Sequence, residues 1–308
     1  PIKSGEIYSF FSLLFNPIHF TTLIIYFYLL LNMKCKHIEF ICILLLVGAL
    51  LIAGCTSTQP GSTPASTTTP ASSQGSILVF AGAGLKAPLD EIGPAFTQKY
   101  GIAVQYNYGG GGTLISQMNL TRKGDIFMPG STVEFQTAKD QGLVTTSQLV
   151  AYHVPVIAVQ KGNPKNITSL KDFAQPGLKV ALGDVNATAI GKAGAKMFKQ
   201  LNITAAVDKN VVTRTPTINE LTIIMNTGQA DAALLTLDQI DPNKVDAITI
   251  PVKDNAVLIT PIGMTTYTQN TDAANKFVAY VASDEGKAFF AKHGFPIYPD
   301  PLYAGIKP

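Results

Sequence analysis

Beyond residue 55 the 308-residue chain contains no cysteine; Cys35, Cys42 and Cys55 are the only three. The main body therefore has no disulfide framework, no thiolate metal site and no cysteine nucleophile. Arginine is nearly as scarce, with Arg122 and Arg214 alone. Residues 76–308 carry 20 basic and 18 acidic side chains, because Lys3, Lys34, Lys36, Glu6 and Glu39 precede them in a chain of 23 and 20. A surface so nearly neutral is not built for a polyelectrolyte, and nucleic-acid binding is not expected. The body has two histidines, His153 and His293, each read as a structural or surface residue. G-x-S-x-G, H-E-x-x-H and paired-histidine metal spacings are all missing. No enzymatic activity, resident metal or cofactor is expected.

Apolar sequence dominates the N-terminal end. Residues 10–31 are long enough to span a bilayer. The chain opens on Pro1, however, and residues 1–32 are read as upstream translation or an extra hydrophobic segment, with Met33 as the start. From Met33 the sequence MKCKHIEFICILLLVGALLIAGC gives a short basic region, an apolar run from Phe40 to Ala53, and then Gly54-Cys55. This is the layout of a secretory signal over residues 33–55. Its end resembles a lipoprotein lipobox, in which Cys55 becomes the lipidated first residue; an uncleaved anchor is the alternative. Residues 56–75, rich in Ser, Thr, Pro and Gly, cannot build a core and read as a flexible spacer. In this order the segments imply a body held at the outer face of the cytoplasmic membrane.

From residue 76 onward, short β-rich runs alternate with helical patterns. Strands are expected at 76–81, 102–108, 125–128, 154–160, 179–183, 231–236 and 247–252, in parallel βαβ units. Leu89, Ile92 and Phe96 share one helical face; Ile218, Leu221 and Met225 share another, with Gly228 as the C-cap. Two more helices are expected around 273–281 and 285–292. The pattern fits either one doubly wound domain or two lobes.

Three loops follow strands and open helices: AGAGLKAP (81–88), GGGGTL (109–114) and GDVNATAIGKAG (183–194). In open α/β sheets ligands bind beyond the carboxyl ends of strands, where helix N-termini offer free N–H groups and a partial positive charge. None of the loops carries the lysine and hydroxyl of a nucleotide P-loop, and alanine at 87 replaces the third glycine of a dinucleotide fingerprint. Asp184, Glu220 and Asp238 lie beside these loops, as caps or as additional ligands. Arg214 is read as a structural ion-pair partner. Sequons at Asn119, Asn166, Asn186 and Asn202 fit an exported chain.

Taken in order, ILVFAGAGLKAPLDEIGPAFTQKYGIAVQYNYGGGGTLISQM, GDIFMPGSTVEFQTAKDQGLV, VPVIAVQKGNP, LKVALGDVNATAIG, NELTIIMNTGQADAALL and SDEGKAFFAKHGF resemble the molybdate/tungstate-binding proteins of ABC importers across residues 76–298. The resemblance implies a two-lobed periplasmic-binding-protein fold with mixed or parallel sheets flanked by helices and two crossovers at a hinge. Lobe 1 would comprise 76–153 and 258–308, and lobe 2 would comprise 154–257. It also implies a monomer that traps a tetrahedral oxyanion and serves a permease and its ATPase. The family's two loop serines fall on Gly84 and Gly111, next to Gly112; its backbone donors fall on Ile190 and Ile218, and its tyrosine hydroxyl on Thr236. With both serines lost, the pocket is expected to be wider, with room for a larger anion, water or a carboxylate such as Glu220 or Asp238. A serine restored at Gly111 would then either recreate a tight site or obstruct it. Other readings are a receptor for phosphate, sulfate or a small organic acid, a surface sensor domain, and an anchored phosphoryl-handling enzyme.

Overall fold

The computed structural model of the chain describes residues 75–307. The expectations for residues 1–32, for the signal at 33–55 with Cys55, and for all but the last residue of the spacer lie outside the described residues.

Two five-stranded sheets organise the molecule into two lobes. The first begins with β1 (Ser76–Gly82), a 3-10 turn at Ala83–Leu85, α1 (Lys86–Tyr100), β2 (Ala103–Gly109), α2 (Gly111–Thr121), β3 (Ile126–Met128), α3 (Thr132–Asp140) and β4 (Val144–His153). The chain then crosses into β5 (Pro155–Gln160), β6 (Val180–Gly183), α4 (Ala189–Gln200), α5 (Thr204–Asp208), β7 (Val211–Thr215), α6 (Ile218–Asn226), β8 (Ala232–Thr236), a 3-10 turn at Leu237–Gln239 and β9 (Val245–Thr249). It returns through β10 (Leu258–Thr265) and ends with α7 (Thr271–Ala282) and α8 (Asp284–Lys292). Strand order is β2-β1-β3-β10-β4 in one sheet and β7-β6-β8-β5-β9 in the other.

The sheets are mixed, and the expectation of parallel βαβ units holds only for part of each. β1 runs parallel to β2 and β3, and β6 runs parallel to β7 and β8, because each successive connection, β1 to β2 to β3 and β6 to β7 to β8, passes through a helix. β10 and β5 arrive from the opposite lobe, and both run antiparallel to their neighbours. Three strands stand outside the expected set: β4, β7 and β10. β10 contains Pro261 and Gly263 yet lies between β3 and β4; a register shift at Thr260/Pro261 accommodates the missing donor. β7, five residues at a sheet edge, alternates half-buried with exposed positions and offers little apolar signal.

Each sheet buries both faces under helices. Leu89, Ile92 and Phe96 of α1 are fully buried, and the Phe96 ring stands edge-on to Phe277 of α7, with centroids 5.0 Å apart. The C-terminal helices therefore close the core of the first lobe. Leu221 and Met225 of α6 are buried, and Gly228 takes φ +74° just past the helix end, where its N–H bonds Met225 O. At the crossover, Leu237 N–H donates to Val154 O (2.9 Å) and the Asn255 amide to Pro155 O (2.9 Å). In register, Gly82 lies opposite Gly109 and Gly183 opposite Thr215. Four carboxyl ends thus release their loops into one interlobe cleft.

Candidate functional site

Helix N-termini from both lobes open onto this cleft. In α4, Thr188 Oγ1 accepts the Gly191 N–H (3.0 Å), which leaves the amides of Ala189 and Ile190 without an acceptor in their helix. Thr217 caps α6 in the same manner through Glu220 N–H (3.3 Å), leaving Ile218. Neither the 3-10 turn after β1 nor α2 has a side-chain cap. The groups surround a cavity of about 40 Å³, bounded by Gly84, Gly111, Glu134, His153, Ile190, Ile218 and Thr236 among others. One water needs about 10–15 Å³ of such volume, so the space suits a group of a few heavy atoms. No lysine or arginine lines it.

Five of the expected site residues therefore meet in one place: Gly84, Gly111, Ile190, Ile218 and Thr236. Thr236 is 1% exposed, and its hydroxyl oxygen has no hydrogen-bond partner. Gly112 has a different task. Its N–H donates to Ala187 O across the cleft (3.1 Å), and a Cβ there would overlap Asn186 O. Gly112 thus lets backbone meet backbone where the lobes touch, and it does not line the cavity. Asp184 and Glu220 are absent from the lining as well. Asp184 Oδ1 accepts the N–H groups of Asn186 and Ala187, both at 2.8 Å, and shapes the loop before α4. Glu220 Oε1 accepts the Thr217 hydroxyl (2.9 Å) and completes the cap of α6. Arg214 pairs with Asp208 (2.6 Å), as read. Of the sequon residues, Asn166 and Asn202 occupy turns at φ +52° and +56°.

The pocket is not widened at Gly111. A Cβ at that position would overlap the carboxyl group of Glu134, and one at Gly84 would stand 2.9 Å from Ile218 Cγ2. Side chains from elsewhere in the fold have taken the space that the serines would need. A serine at Gly111 would have to displace the Glu134 carboxyl group, the far end of a flexible side chain.

Glu134 is the central residue that sequence reasoning missed. It is 1% exposed, and neither carboxyl oxygen has a hydrogen-bond partner. Burial pushes its pKa up to about 7, against the pull of Lys192 and His153 and looser help from Ser131 and Gly130. Ser131-x-x-Glu134 reads as a capping box, and Ser131 Oγ does accept the Glu134 N–H (3.3 Å). The carboxyl group, however, leaves the helix end and enters the cavity. His153, read as structural, also lines the cavity, and its Nδ1 lies 3.1 Å from Asp238 Oδ1. Asp238 is thus one residue removed from the cavity, held by His153 and by Gln239 Nε2 (2.9 Å). Gln239 Nε2 also donates to Gly84 O (3.2 Å) and bridges the lobes. Glycine at 111 was the available signal for Glu134, but only the fold pairs the two.

Among the described residues, no group of three His, Cys, Asp or Glu is placed to hold a metal ion, and no helix is long and apolar enough to cross a membrane.

The family model for bacterial extracellular solute-binding proteins matches residues 77–296. The molybdate-binding protein ModA of Mycobacterium tuberculosis is 29% identical over 257 residues, covering 81% of this chain and 95% of the relative. Among solved structures, the sulfate-binding protein SubI of M. tuberculosis matches with a TM-score of 0.65 at 20% identity, over 75% of this chain and 90% of SubI. The periplasmic molybdate-binding protein of Azotobacter vinelandii matches at 0.60 and 15%, over 71% and 98%. At these identities the two structures establish the two-lobed periplasmic-binding-protein fold.

Proposed function

This chain belongs to the bacterial extracellular solute-binding protein family, as a receptor of an ABC importer, and from that premise we propose that it captures a small tetrahedral oxyanion, molybdate or tungstate, between its lobes. The observation that carries this reading is the set of uncapped or partly capped helix N-termini, from both lobes, around one small cavity free of lysine and arginine. An anion held there is stabilised by oriented amides and helix dipoles. The Thr236 hydroxyl, buried without a partner, supplies a further donor. The ModA relative, named for molybdate, supports the choice of ligand, and the cavity volume favours a bare oxyanion over a sugar phosphate.

Binding brings the lobes together by hinge rotation about the two crossovers. Gly112 N–H to Ala187 O, and Gln239 to Gly84 O, are the interlobe hydrogen bonds that such a rotation would make and break. The loaded receptor, a monomer held at the membrane by a lipid on Cys55, then presents the oxyanion to the permease and its ATPase.

The test is a ligand panel on the full chain in detergent, read as thermal stability. A ligand that binds only the native state at about 100 times its Kd adds about 2.7 kcal/mol. Molybdate and tungstate are expected to raise Tm by several degrees. A rise with sulfate or phosphate alone would reassign the ligand, and no rise with any of the four would remove the oxyanion reading.

A further inference from the structure

An acid in the lining of an anion cavity calls for an explanation. Glu134 is buried to 1% exposure, aims both unpartnered oxygens into the space beside Gly111, and forms no ion pair. The groups facing it come from four elements. They are His153 at the end of β4, Lys192 on α4, Ser131 and Gly130 before α3, and the N-terminal turn of α2 at Gly111. Lys192 acts only as a charge at a distance, and His153 directs Nδ1 to Asp238. Nothing in contact neutralises an ionised Glu134, and a dianion in so small a cavity would lie against it.

We infer that Glu134 holds the oxyanion in its protonated form, donating its carboxyl O–H to a ligand oxygen, so that a dianion and one proton enter the cleft together. This rests on the oxyanion reading above. The balance is simple: the ionised carboxylate takes one proton from solvent, the dianion stays a dianion, and the O–H bond formed becomes a hydrogen bond to it. Glu134 then fills the role of a lost serine hydroxyl, but only while it carries its proton. With the free carboxyl titrating near pH 7, affinity for a dianion falls about tenfold for each pH unit above that point.

The experiment is calorimetric titration of the full chain in detergent with sodium molybdate at pH 6.5, 7.5 and 8.5, in two buffers of different ionisation enthalpy. The wild-type protein is expected to take up about a quarter of a proton per molybdate at pH 6.5 and nearly a whole one at pH 8.5. Between pH 7.5 and 8.5 its Kd is expected to weaken close to tenfold. Glu134→Gln, whose amide donates without titrating, is expected to bind with no proton uptake and a flat pH profile. Binding by wild type without uptake overturns the inference; so does uptake that persists in Glu134→Gln, which would place the proton on another group. Absence of binding by either protein at every pH strikes the oxyanion reading itself. The wild-type proton count stands whether or not the variant folds.

Discussion

At Glu134 two costs compete. An ionised carboxylate about 4 Å from a dianion, at an effective dielectric near 20, meets about 8 kcal/mol of repulsion. Protonating an acid one pH unit above its pKa costs about 1.4 kcal/mol. Protonation is the smaller cost by a wide margin. The same residue makes the ligand-free protein sensitive to pH. Its carboxyl pKa rises from 4.5 to about 7 on folding. The stability available to the protonated form is therefore complete below pH 4.5, drains away as pH rises to about 7, and then levels off. Glu134→Gln is expected to raise the unfolding free energy by up to about 3 kcal/mol at pH 8, and by about 1 kcal/mol or less at pH 5. Denaturant titrations at the two pH values check this; an equal gain at both would mean that folding leaves the Glu134 pKa where it is in the unfolded chain. Of this residue the chain's order of amino acids discloses only the Ser131 cap. Its burial against Gly111 arises from the packing of α3 on α2.

Among the elements, α2 meets the backbone of the opposite lobe in its first turn. An alanine at 112 suits a helix better than glycine by about 1 kcal/mol, yet its Cβ would overlap Asn186 O of the opposite lobe. Gly112→Ala is therefore expected to leave the ligand-free fold as stable as wild type, or slightly more so, while weakening oxyanion binding by about tenfold or more. Small-angle scattering should show that the radius of gyration no longer contracts on addition of molybdate. Contraction as in wild type would mean that the seam at Gly112 yields easily. Elements with one clear period were legible before the fold was known: α1 through Leu89, Ile92 and Phe96, and α6 through Leu221 and Met225. β10 was not, because Pro261 and Gly263 argue against a strand locally. Its place between β3 and β4 is set by partners more than a hundred residues earlier in the chain.

The whole molecule presents a second, larger hollow beside the ligand cavity, about 520 Å³, with Lys192, Lys196 and Lys307 in its walls. The two share Ala189 and Leu258, so the lysines stand at an approach to the site without entering it. Long-range attraction of this kind acts on association rather than on the bound state. Lys196→Glu is expected to slow molybdate association by about two- to tenfold at low salt, with dissociation unchanged and the difference shrinking as salt is added. Stopped-flow measurement at two ionic strengths checks this, and a change confined to dissociation would count against steering.

By itself the sequence determined which chemistry was excluded, since missing cysteines and scarce arginines need no fold to be counted. It also determined the alternation of strands and helices, because periodicity is a local property. The family resemblance extended this to two lobes and to the positions of Gly84, Gly111, Ile190, Ile218 and Thr236. Tertiary structure alone decided what stands opposite those positions. Two glycines that looked like lost donors and open space prove to be filled, one by Glu134 and the other by Ile218. Gly112 proves to be a seam between lobes rather than a ligand contact. The physical reason is that a side chain's environment is set by elements distant in the chain, and in a cleft between two lobes almost every neighbour is distant.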